Sequence, residues 1–306
     1  MDGYCSEIVK HVYLSDIMAA SSPTSITRYN IKHIITCNIK PISEPLVSSY
    51  LWIDSEDMPR QDLISFFEIT YSFIEKAVEK KENVLVHCIA GISRSATIVT
   101  AYLMKKLRKP AEECIELVRK ERSIVDPNEG FRRQLKLYET MGYKINVLNK
   151  DYRLIVLDQL ASRLSRRHFI HDTETSNAVH EIVHSYFTKL SSTDQLFKAK
   201  VVYKCKKCRI KLFTEIHVIS DNLVNCKSLY IEPQPWMQSM LTELTVSDIN
   251  CPSCLKKIGC FDVSGIDCDS KCTTHTSIRP AFKINVNDID VDNLALPSTV
   301  FISQAH

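Results

Sequence analysis

The stretch Val84-Leu85-Val86-His87-Cys88-Ile89-Ala90-Gly91-Ile92-Ser93-Arg94-Ser95-Ala96 decides the fold of this 306-residue chain. Its apolar beginning favours a buried β-strand, and the run from Ser95 to Leu107 has helical composition. Between them, Gly91 permits a tight loop whose backbone N–H groups, with the positive end of the following helix, converge on an anion. The same field favours a thiolate at Cys88, and the planar guanidinium of Arg94 matches two phosphoryl oxygens. The stretch therefore predicts a phosphate-binding loop that carries a nucleophile.

These residues resemble the His-Cys-(five residues)-Arg-Ser loop of the cysteine-dependent protein tyrosine phosphatases. The loop lacks the lysines of phosphoinositide phosphatases, and Arg94-Ser95-Ala96 followed by Ala101-Tyr102-Leu103-Met104 is similar to the dual-specificity protein phosphatases. The resemblance implies hydrolysis of phosphotyrosine and phosphoserine or phosphothreonine in proteins, through a cysteinyl-phosphate intermediate and without a catalytic cofactor. It also implies phosphate contacts from the backbone between Ile89 and Arg94.

Two residues beside the nucleophile each have two interpretations. The Ser95 hydroxyl either stabilises the departing thiolate, as the resemblance implies, or caps the helix, and it can do both. His87 either shapes the loop and tunes Cys88, or is an ordinary core histidine; we do not interpret it as a base.

The leaving oxygen needs a general acid, and the segment from Leu51 to Asp62 offers four carboxylates. Asp62 precedes an amphipathic run and is interpreted as an N-cap. Asp57 lies five residues before that cap, where the resembling phosphatases place their acid. Asp57 is therefore the predicted acid, and Asp54, directly after a strand-like run, is the alternative.

The pattern of apolar residues predicts an α/β phosphatase domain with a mixed central sheet flanked by helices. The predicted strands are Ile8–Leu14, Ile31–Thr36, Tyr50–Ile53 and Val84–His87, and the predicted helices are Leu63–Lys80, Ser95–Leu107, Pro110–Arg122 and Glu129–Met141. The motif Asn128-Glu129-Gly130-Phe131 is predicted to close the core. We place this domain at residues 1–145, a helical linker at 146–200 and a small, β-rich, zinc-stabilised domain at 201–306. The apolar stripe of the linker packs on a neighbouring element or, alternatively, binds a partner.

Composition narrows the class of protein. Hydrophobic residues make up 44% of the chain, enough for a substantial core, whereas a net charge of +3 is too small to indicate nucleic-acid binding by itself. The first residues lack the apolar core of a signal peptide, and no later segment is apolar enough to cross a bilayer. We expect a soluble protein of a reducing compartment, without a membrane partner.

Eight of the twelve cysteines fall between Cys205 and Cys272. Cys205-Lys206-Lys207-Cys208 and Cys251-Pro252-Ser253-Cys254 are knuckles that each give two thiolates to a tetrahedral zinc, which favours metal binding over disulfides. The remaining predicted ligands are Cys226, Cys268 and Cys272, which need a fourth donor from among His217, Cys260 and His275. We favour His217, and spacing does not decide which knuckle shares which zinc.

The zinc module narrows the resemblance to dual-specificity phosphatases that carry a C-terminal zinc-binding domain. The motifs that carry it are Tyr230-Ile231-Glu232-Pro233-Gln234-Pro235-Trp236-Met237, the two knuckles and Pro280-Ala281-Phe282. The resemblance implies about two structural zinc ions per chain, a role in large ribosomal subunit assembly, and a location in cytoplasm and nucleus. Basic residues between Lys198 and Lys211 would then meet pre-ribosomal particles or ribosomal RNA, although the acidic stretch from Asp288 to Asp292 could cover them. In the alternative function, the zinc module acts in assembly and the phosphatase activity is dispensable.

Overall fold

The computed structural model describes residues 4–47, 49–167, 173–190, 199–219, 228–243, 246–266 and 280–294. The chain divides into two compact units, Met1–Asn146 and Val147–His306. Within the residues described, no helix is long and apolar enough to span a bilayer.

The first unit is built on a five-stranded sheet with the order β1-β2-β5-β3-β4. Its strands are β1 (Ser6–Val9), β2 (Val12–Ser15), β3 (Ile31–Cys37), β4 (Ser49–Ile53) and β5 (Asn83–His87). Strands β2, β5, β3 and β4 are parallel, and β1 pairs antiparallel with β2. The predicted mixed sheet is therefore confirmed, and β5, which delivers Cys88, lies at its centre. The carboxyl ends of parallel strands meet at one edge, which is where ligand sites form in such sheets.

The helices of this unit cover the sheet. They are α1 (Ile17–Ala20), α2 (Pro23–Arg28), α3 (Phe67–Glu79), α4 (Arg94–Leu107), α5 (Ala111–Glu121) and α6 (Glu129–Thr140). Every residue of α4 from Arg94 to Met104 is buried, so α4 is the central helix, and α3, α5 and α6 contact it. Because α4 begins at Arg94, the predicted phosphate-binding loop lies between the central strand and the central helix.

The predicted strand Ile8–Leu14 is wrong as a single element. It is a hairpin, in which β1 ends at Val9, β2 begins at Val12, and His11 adopts a left-handed backbone with φ 72°. A two-residue hairpin turn needs such conformations, which glycine and asparagine favour. Neither Lys10 nor His11 gives that signal in the sequence, so the apolar residues on both sides looked continuous.

The second unit is β-rich, as predicted, and its described residues form two antiparallel sheets. One sheet has the order β8-β11-β10-β9 and the other β12-β6-β7. The strands are β6 (Val201–Cys205), β7 (Lys211–Thr214), β8 (Ser228–Ile231), β9 (Ser247–Asn250), β10 (Lys257–Asp262), β11 (Ala281–Asn285) and β12 (Ile289–Asn293). A short helix, α9 (Gln238–Glu243), follows β8.

The predicted linker contains two long helices, α7 (Lys150–Arg167) and α8 (Thr173–Leu190), and both belong to the second unit. The two helices contact each other. The apolar stripe of α7 is buried at Leu157, Leu160 and Leu164. The stripe therefore packs within this unit, as the first of the two interpretations expects.

A buried ion pair between Arg153 and Glu232 connects α7 with the Tyr230–Met237 motif. Arg153 of α7 donates to both carboxylate oxygens of Glu232, and its Nε lies 2.7 Å from Glu232 Oε1. Only 2% of the Arg153 side chain and 5% of the Glu232 side chain are exposed. Either charge left alone in this interior would be strongly destabilising, so α7 is part of the folded unit.

Replacement of one partner of this pair should therefore destabilise the second unit. We expect Arg153→Met or Glu232→Leu to lower the free energy of unfolding by about 3–5 kcal/mol, because a buried charge is left unpaired. The double replacement should recover most of that loss. Urea unfolding of the full chain carrying Trp52→Phe, followed by the fluorescence of Trp236, measures the effect. As a control within the same unit, Asp248→Ala breaks the exposed Lys257–Asp248 pair and should cost less than about 1 kcal/mol.

Candidate active site and metal centre

Cys88 is the first residue after β5, and its thiol lies at the base of the loop that leads into α4. Only 1% of the residue is exposed. Its Sγ accepts hydrogen bonds from the Gly91 backbone N–H and from the Ser95 hydroxyl, both at 3.2 Å. The sulfur is therefore held by donors, an arrangement that stabilises a thiolate.

The carbonyl groups of the loop from Ile89 to Ser93 all point away from its interior. Each accepts a hydrogen bond from outside the loop, at 2.9–3.1 Å. In chain order, the donors are the Ile17 N–H, Arg122 Nη2, Arg122 Nε, the Asp126 N–H and the Thr97 N–H. Because every carbonyl is bonded outside, the N–H groups are left to face the interior, as in an anion-binding nest.

Gly91 is required in this loop on two grounds. Its φ is +69°, which L side chains rarely adopt, and a Cβ would lie 2.5 Å from the Ser15 carbonyl oxygen. The same Cβ would lie 2.9 Å from Arg122 Nη2. A larger residue would therefore displace the guanidinium that holds two loop carbonyls.

Arg94 presents an unused donor inside the loop. Its Nη1 donates to the Ser55 carbonyl at 3.1 Å and to Asn38 Oδ1 at 3.3 Å. Its Nε–H is buried and has no hydrogen-bond partner among the described residues. Buried polar groups are seldom left unpaired. The Asp57 carboxylate lies 3.6 Å from this Nε, beyond hydrogen-bond distance, so the N–H remains able to donate to an anion bound in the loop.

The electrostatics of the loop favour an ionised nucleophile. Burial raises the pKa of the Cys88 thiol, but hydrogen bonds from Ser95 and Gly91 and the charge of Arg94 outweigh it. The net pKa lies below the ordinary thiol value. By contrast, burial raises the pKa of Cys114 to about 11 and that of Cys37 well above its usual range. Of these three buried thiols, Cys88 is the one poised to react near neutral pH.

His87 is neutral and orients the backbone behind the nucleophile. Burial lowers the pKa of His87 to about 4. Its Nδ1 lies 3.1 Å from the Cys88 carbonyl oxygen, and its Nε2 lies 2.7 Å from the Thr36 hydroxyl. Since a carbonyl only accepts, the proton is assigned to Nδ1, and Nε2 accepts from Thr36. His87 thus fixes the start of the loop from behind.

Asp57 lies beside the cradle, opposite Ser93 at the end of the loop. Its Oδ1 accepts from the Ser93 hydroxyl at 2.7 Å and from Asn128 Nδ2 at 2.8 Å, and its Oδ2 lies 3.6 Å from Arg94 Nε. Asp54, the alternative acid, is exposed on the segment after β4. The arrangement can present one carboxyl oxygen to a leaving group while the other is held.

Two neighbours of Asp57 show how the acid-bearing loop is positioned. Asp62 Oδ1 accepts from the Ser65 N–H at 2.9 Å, the contact expected of an N-cap. On the other side of the loop, a Cβ on Gly130 of α6 would lie 1.8 Å from the Pro59 carbonyl oxygen. The Asn128–Phe131 motif closes the core through the fully buried Phe131, and it also packs against the acid-bearing loop. The sequence pattern predicts only the first of these two roles.

The effect of replacing Asp57 on the hydrolysis rate should depend on the leaving group of the substrate. We expect Asp57→Asn to slow hydrolysis of phenyl or alkyl phosphates by about two to four orders of magnitude, because the poor leaving oxygen needs a proton. The loss should be smaller for an activated aryl phosphate. Steady-state kinetics with the two substrates measure the difference, and Asp54→Asn is the matched control. An equal loss on both substrates, or a larger loss in Asp54→Asn, would contradict the assignment.

Comparisons with known proteins agree with this geometry. Residues 12–141 match the family model described as "Dual specificity phosphatase, catalytic domain". The Schizosaccharomyces pombe tyrosine-protein phosphatase yvh1 is 30% identical over 276 residues, which cover 86% of this chain and 78% of that protein. The chain belongs to the dual-specificity phosphatase family. Dual specificity protein phosphatase 12 of Rattus norvegicus is also similar, with 28% identity over 94% of this chain and 88% of the relative.

Among solved structures, this chain is similar to the crystal structure of DUSP15, with 31% sequence identity and a TM-score of 0.44. That match covers 46% of this chain and 90% of the other. The enzyme is a dual-specificity protein phosphatase, as the sequence predicts, and its substrates are phosphoproteins.

The two predicted knuckles of the phosphatase have the same backbone geometry. In each, the residue after the second cysteine donates its N–H to the first cysteine: Arg209 to the Cys205 carbonyl at 2.8 Å, and Leu255 to the Cys251 carbonyl at 3.0 Å. Arg209 and Leu255 also share a left-handed backbone, with φ of 65° and 58°. This repeated turn directs both thiols of a knuckle to one side.

The four knuckle cysteines form one cluster. Their Sγ atoms all lie within 4.8 Å of one another. Cys205 Sγ is 3.7 Å from Cys254 Sγ, and Cys208 Sγ is 3.6 Å from Cys251 Sγ. These separations exceed the disulfide length of about 2.05 Å but match the spacing of about 3.8 Å between thiolates on a tetrahedral zinc. The cluster can hold one metal ion, and the two knuckles share it.

The other predicted ligands form no site that can be described. Cys226, Cys268, Cys272 and the candidate His275 lie outside the described residues. His217 is buried and does not belong to the four-cysteine cluster; its Nδ1 accepts from the Thr214 N–H at 3.3 Å. Cys260, on β10, also lies outside the cluster. A second metal site therefore stays a prediction.

Sequence reasoning did not find the residues that hold the active site from outside the motif. They are Asn38 and Ser55 at Arg94, Arg122 at the loop carbonyls, Asn128 at Asp57 and Thr36 at His87. One signal could have found Asn38, because it is the polar residue directly after a buried strand at the carboxyl edge of the sheet. The others depend on contacts between distant segments.

Proposed function

We propose that the phosphatase acts through a phosphocysteine at Cys88. The Cys88 thiolate attacks the phosphorus, Arg94 binds two phosphoryl oxygens, and Asp57 protonates the leaving oxygen. Water then attacks the phosphocysteine, Asp57 takes its proton, and the Ser95 hydroxyl stabilises the departing thiolate. The observation that carries this proposal is the Cys88 thiol, which accepts hydrogen bonds from Gly91 and Ser95 and has a lowered pKa, beside a buried Arg94 Nε–H that makes no hydrogen bond among the described residues. The mechanism requires phosphotyrosine and phosphoserine or phosphothreonine to reach the same thiolate.

For the second unit we propose a structural role of zinc. The four knuckle thiols would hold one ion, and the cysteines outside the described residues would hold the second of about two. Thiolates alone, with no open coordination position, are typical of structural rather than catalytic zinc. When bound, the ion supplies fold stability, and the Cys88 chemistry proceeds without it.

We further propose that this unit binds pre-ribosomal particles through ribosomal RNA, in the nucleus and cytoplasm. The support is electrostatic. A depression beside the knuckles is lined by Lys206, Lys207, Leu255 and Lys256, and both Lys206 and Lys207 are exposed. Their charges suit phosphate contacts whose strength falls with salt.

The acidic stretch limits the size of this surface. Asp292 lies 2.5 Å from Lys204 Nζ and also pairs with Arg209, while Asp288 pairs with Lys256 at 2.6 Å. Part of the basic stretch is therefore neutralised within the fold, as the sequence analysis anticipated. The proposed RNA contact falls on Lys206 and Lys207.

A second candidate function follows from the division of the chain. If assembly depends on the second unit alone, phosphatase activity is dispensable. Cells that lack the protein should then be rescued by full-length Cys88→Ser but not by full-length Lys206→Glu/Lys207→Glu. If catalysis is required, Cys88→Ser fails to rescue. Sedimentation of each variant with large-subunit precursors at moderate salt tests the RNA contact separately, and equal sedimentation of the lysine variant would refute it.

A further inference from the structure

We propose that apolar side chains around the mouth of the active site select phosphoproteins whose residues next to the phosphoresidue are apolar. We call these side chains the apolar rim and define it as Ile39, Met58 and Ile89. All three are well exposed, at 53%, 57% and 48%. This inference rests on Cys88 as the nucleophile, because a phosphoryl group must reach that thiol for the substrate to contact the rim.

The position of the rim follows from its chain neighbours. Ile89 follows Cys88. Met58 follows Asp57, whose carboxylate accepts from the Ser93 hydroxyl at 2.7 Å. Ile39 follows Asn38, whose Oδ1 lies 3.3 Å from Arg94 Nη1. Since consecutive Cα atoms are about 3.8 Å apart, three separate segments each place an exposed apolar residue beside the phosphate cradle.

The reaction determines what contacts the apolar rim, namely the residues on either side of the phosphoresidue in the substrate. Arg94 and Cys88 are buried at the base of the loop, so a phosphoresidue that reaches them brings its neighbouring residues over the loop edge. Exposed apolar side chains at that edge gain free energy when apolar side chains cover them. The charged residues beside the rim include Lys40, which follows Ile39, and Glu56 and Asp57, which precede Met58, so an acidic flank meets both attraction and repulsion.

A pair of phosphotyrosine peptides tests the inference on the full-length enzyme. The two differ only at the residues flanking the phosphotyrosine, which are leucine in one and glutamate in the other. We expect kcat/KM of the wild type to favour the leucine peptide by about tenfold, from the area that two or three side chains bury. In Ile39→Ser/Met58→Ser the preference should fall to about twofold or less. Because each preference is a ratio within one protein, a general loss of activity cancels.

Leu107→Ser is the matched control. Leu107 is 45% exposed, like the rim residues, and lies at the far end of α4, about 20 Å from Arg94 along the helix. This variant should keep the wild-type preference. A wild-type preference for the glutamate peptide, no preference, or an undiminished preference in the double variant would overturn the inference. Failure of the nucleophile assignment is distinguishable, because Cys88→Ser would then still hydrolyse p-nitrophenyl phosphate.

Discussion

Cys88→Ser is expected to lose hydrolysis of p-nitrophenyl phosphate by about four orders of magnitude or more. The loop stabilises an anion at this position through Gly91, Ser95 and Arg94, which lowers the pKa of the thiol. A serine hydroxyl ionises so much less readily that the same donors leave it protonated. Steady-state turnover at neutral pH measures the loss, and wild-type-like activity in the variant would refute the mechanism.

Another buried thiol provides the control. Cys114 is completely buried on α5, and burial raises its pKa to about 11. It is therefore a protonated thiol at neutral pH, and Cys114→Ser should keep turnover within about threefold of the wild type. Iodoacetate, which alkylates thiolates, should label Cys88 rather than Cys114, and inorganic phosphate should protect against labelling.

The lowered pKa of Cys88 also fixes the direction of the pH dependence. Above this pKa the thiolate is present and the first step is possible; below it the thiol is protonated and turnover falls. The acid limb of kcat/KM, and of iodoacetate inactivation, should therefore lie at lower pH than the titration of a free cysteine measured under the same conditions. Ser95→Ala removes one donor to Sγ, so the limb should move to higher pH.

Arg94→Lys should also lower turnover of p-nitrophenyl phosphate, by about two to three orders of magnitude. The reason is that a single ammonium charge replaces the planar guanidinium, which can bind two phosphoryl oxygens at once. The Arg94 Nε–H, which makes no hydrogen bond among the described residues, has no counterpart in lysine. The Nη1 contacts to Asn38 and the Ser55 carbonyl, which position the side chain, would be lost as well.

The sequence predicts the active-site loop because its constraints are local. Strand β5, the loop from Ile89 to Ser93 and helix α4 are consecutive, and Gly91 carries a visible backbone requirement. The predicted helices likewise agree with α3 to α6 to within a few residues, since each has a clear apolar face. When the role of a residue depends on an element that directly follows it in the chain, that role can be predicted from a single sequence.

Contacts between segments that are far apart in the chain cannot be predicted from local sequence patterns. Arg122 lies 31 residues from Gly91, and Asn128 lies 71 residues from Asp57. Nothing local distinguishes Arg122 from a surface arginine of an amphipathic helix. The Arg153–Glu232 pair could not be predicted for the same reason, because its two residues are 79 positions apart. This pair makes α7 part of the second unit. An apolar stripe shows that a helix packs, but not on which element.

The knuckles show an intermediate case. Each Cys-x-x-Cys turn is local, so the sequence predicts two pairs of thiols. Their convergence on one ion depends on how the turn after β6 and the turn after β9 come together, which spacing left undecided. The structure brings Cys205, Cys208, Cys251 and Cys254 into one cluster and therefore pairs the knuckles with each other.

Removal of zinc should unfold the second unit and leave catalysis intact. Structural zinc contributes on the order of 10 kcal/mol to small metal-binding domains, comparable to the whole stability of an ordinary domain. We expect metal analysis to find about two zinc ions per chain, and Cys205→Ser or Cys251→Ser to lose zinc and fold together. Cys114→Ser is the matched control, because Cys114 lies on α5 of the first unit and its replacement should leave both the zinc content and the fold of the second unit unchanged.

The two tryptophans of the chain report on the two units separately. Trp52 lies on β4, with its indole N–H 2.8 Å from the Asn38 carbonyl oxygen, and Trp236 donates to the Leu212 carbonyl at 3.1 Å. In Trp52→Phe, chelator should shift the remaining emission toward that of exposed indole. In Trp236→Phe, chelator should change neither the emission nor the turnover of p-nitrophenyl phosphate, since the Cys88 chemistry needs no metal. Loss of turnover in chelator, or zinc-free protein with a folded second unit, would show that the two units do not divide catalysis and metal binding between them.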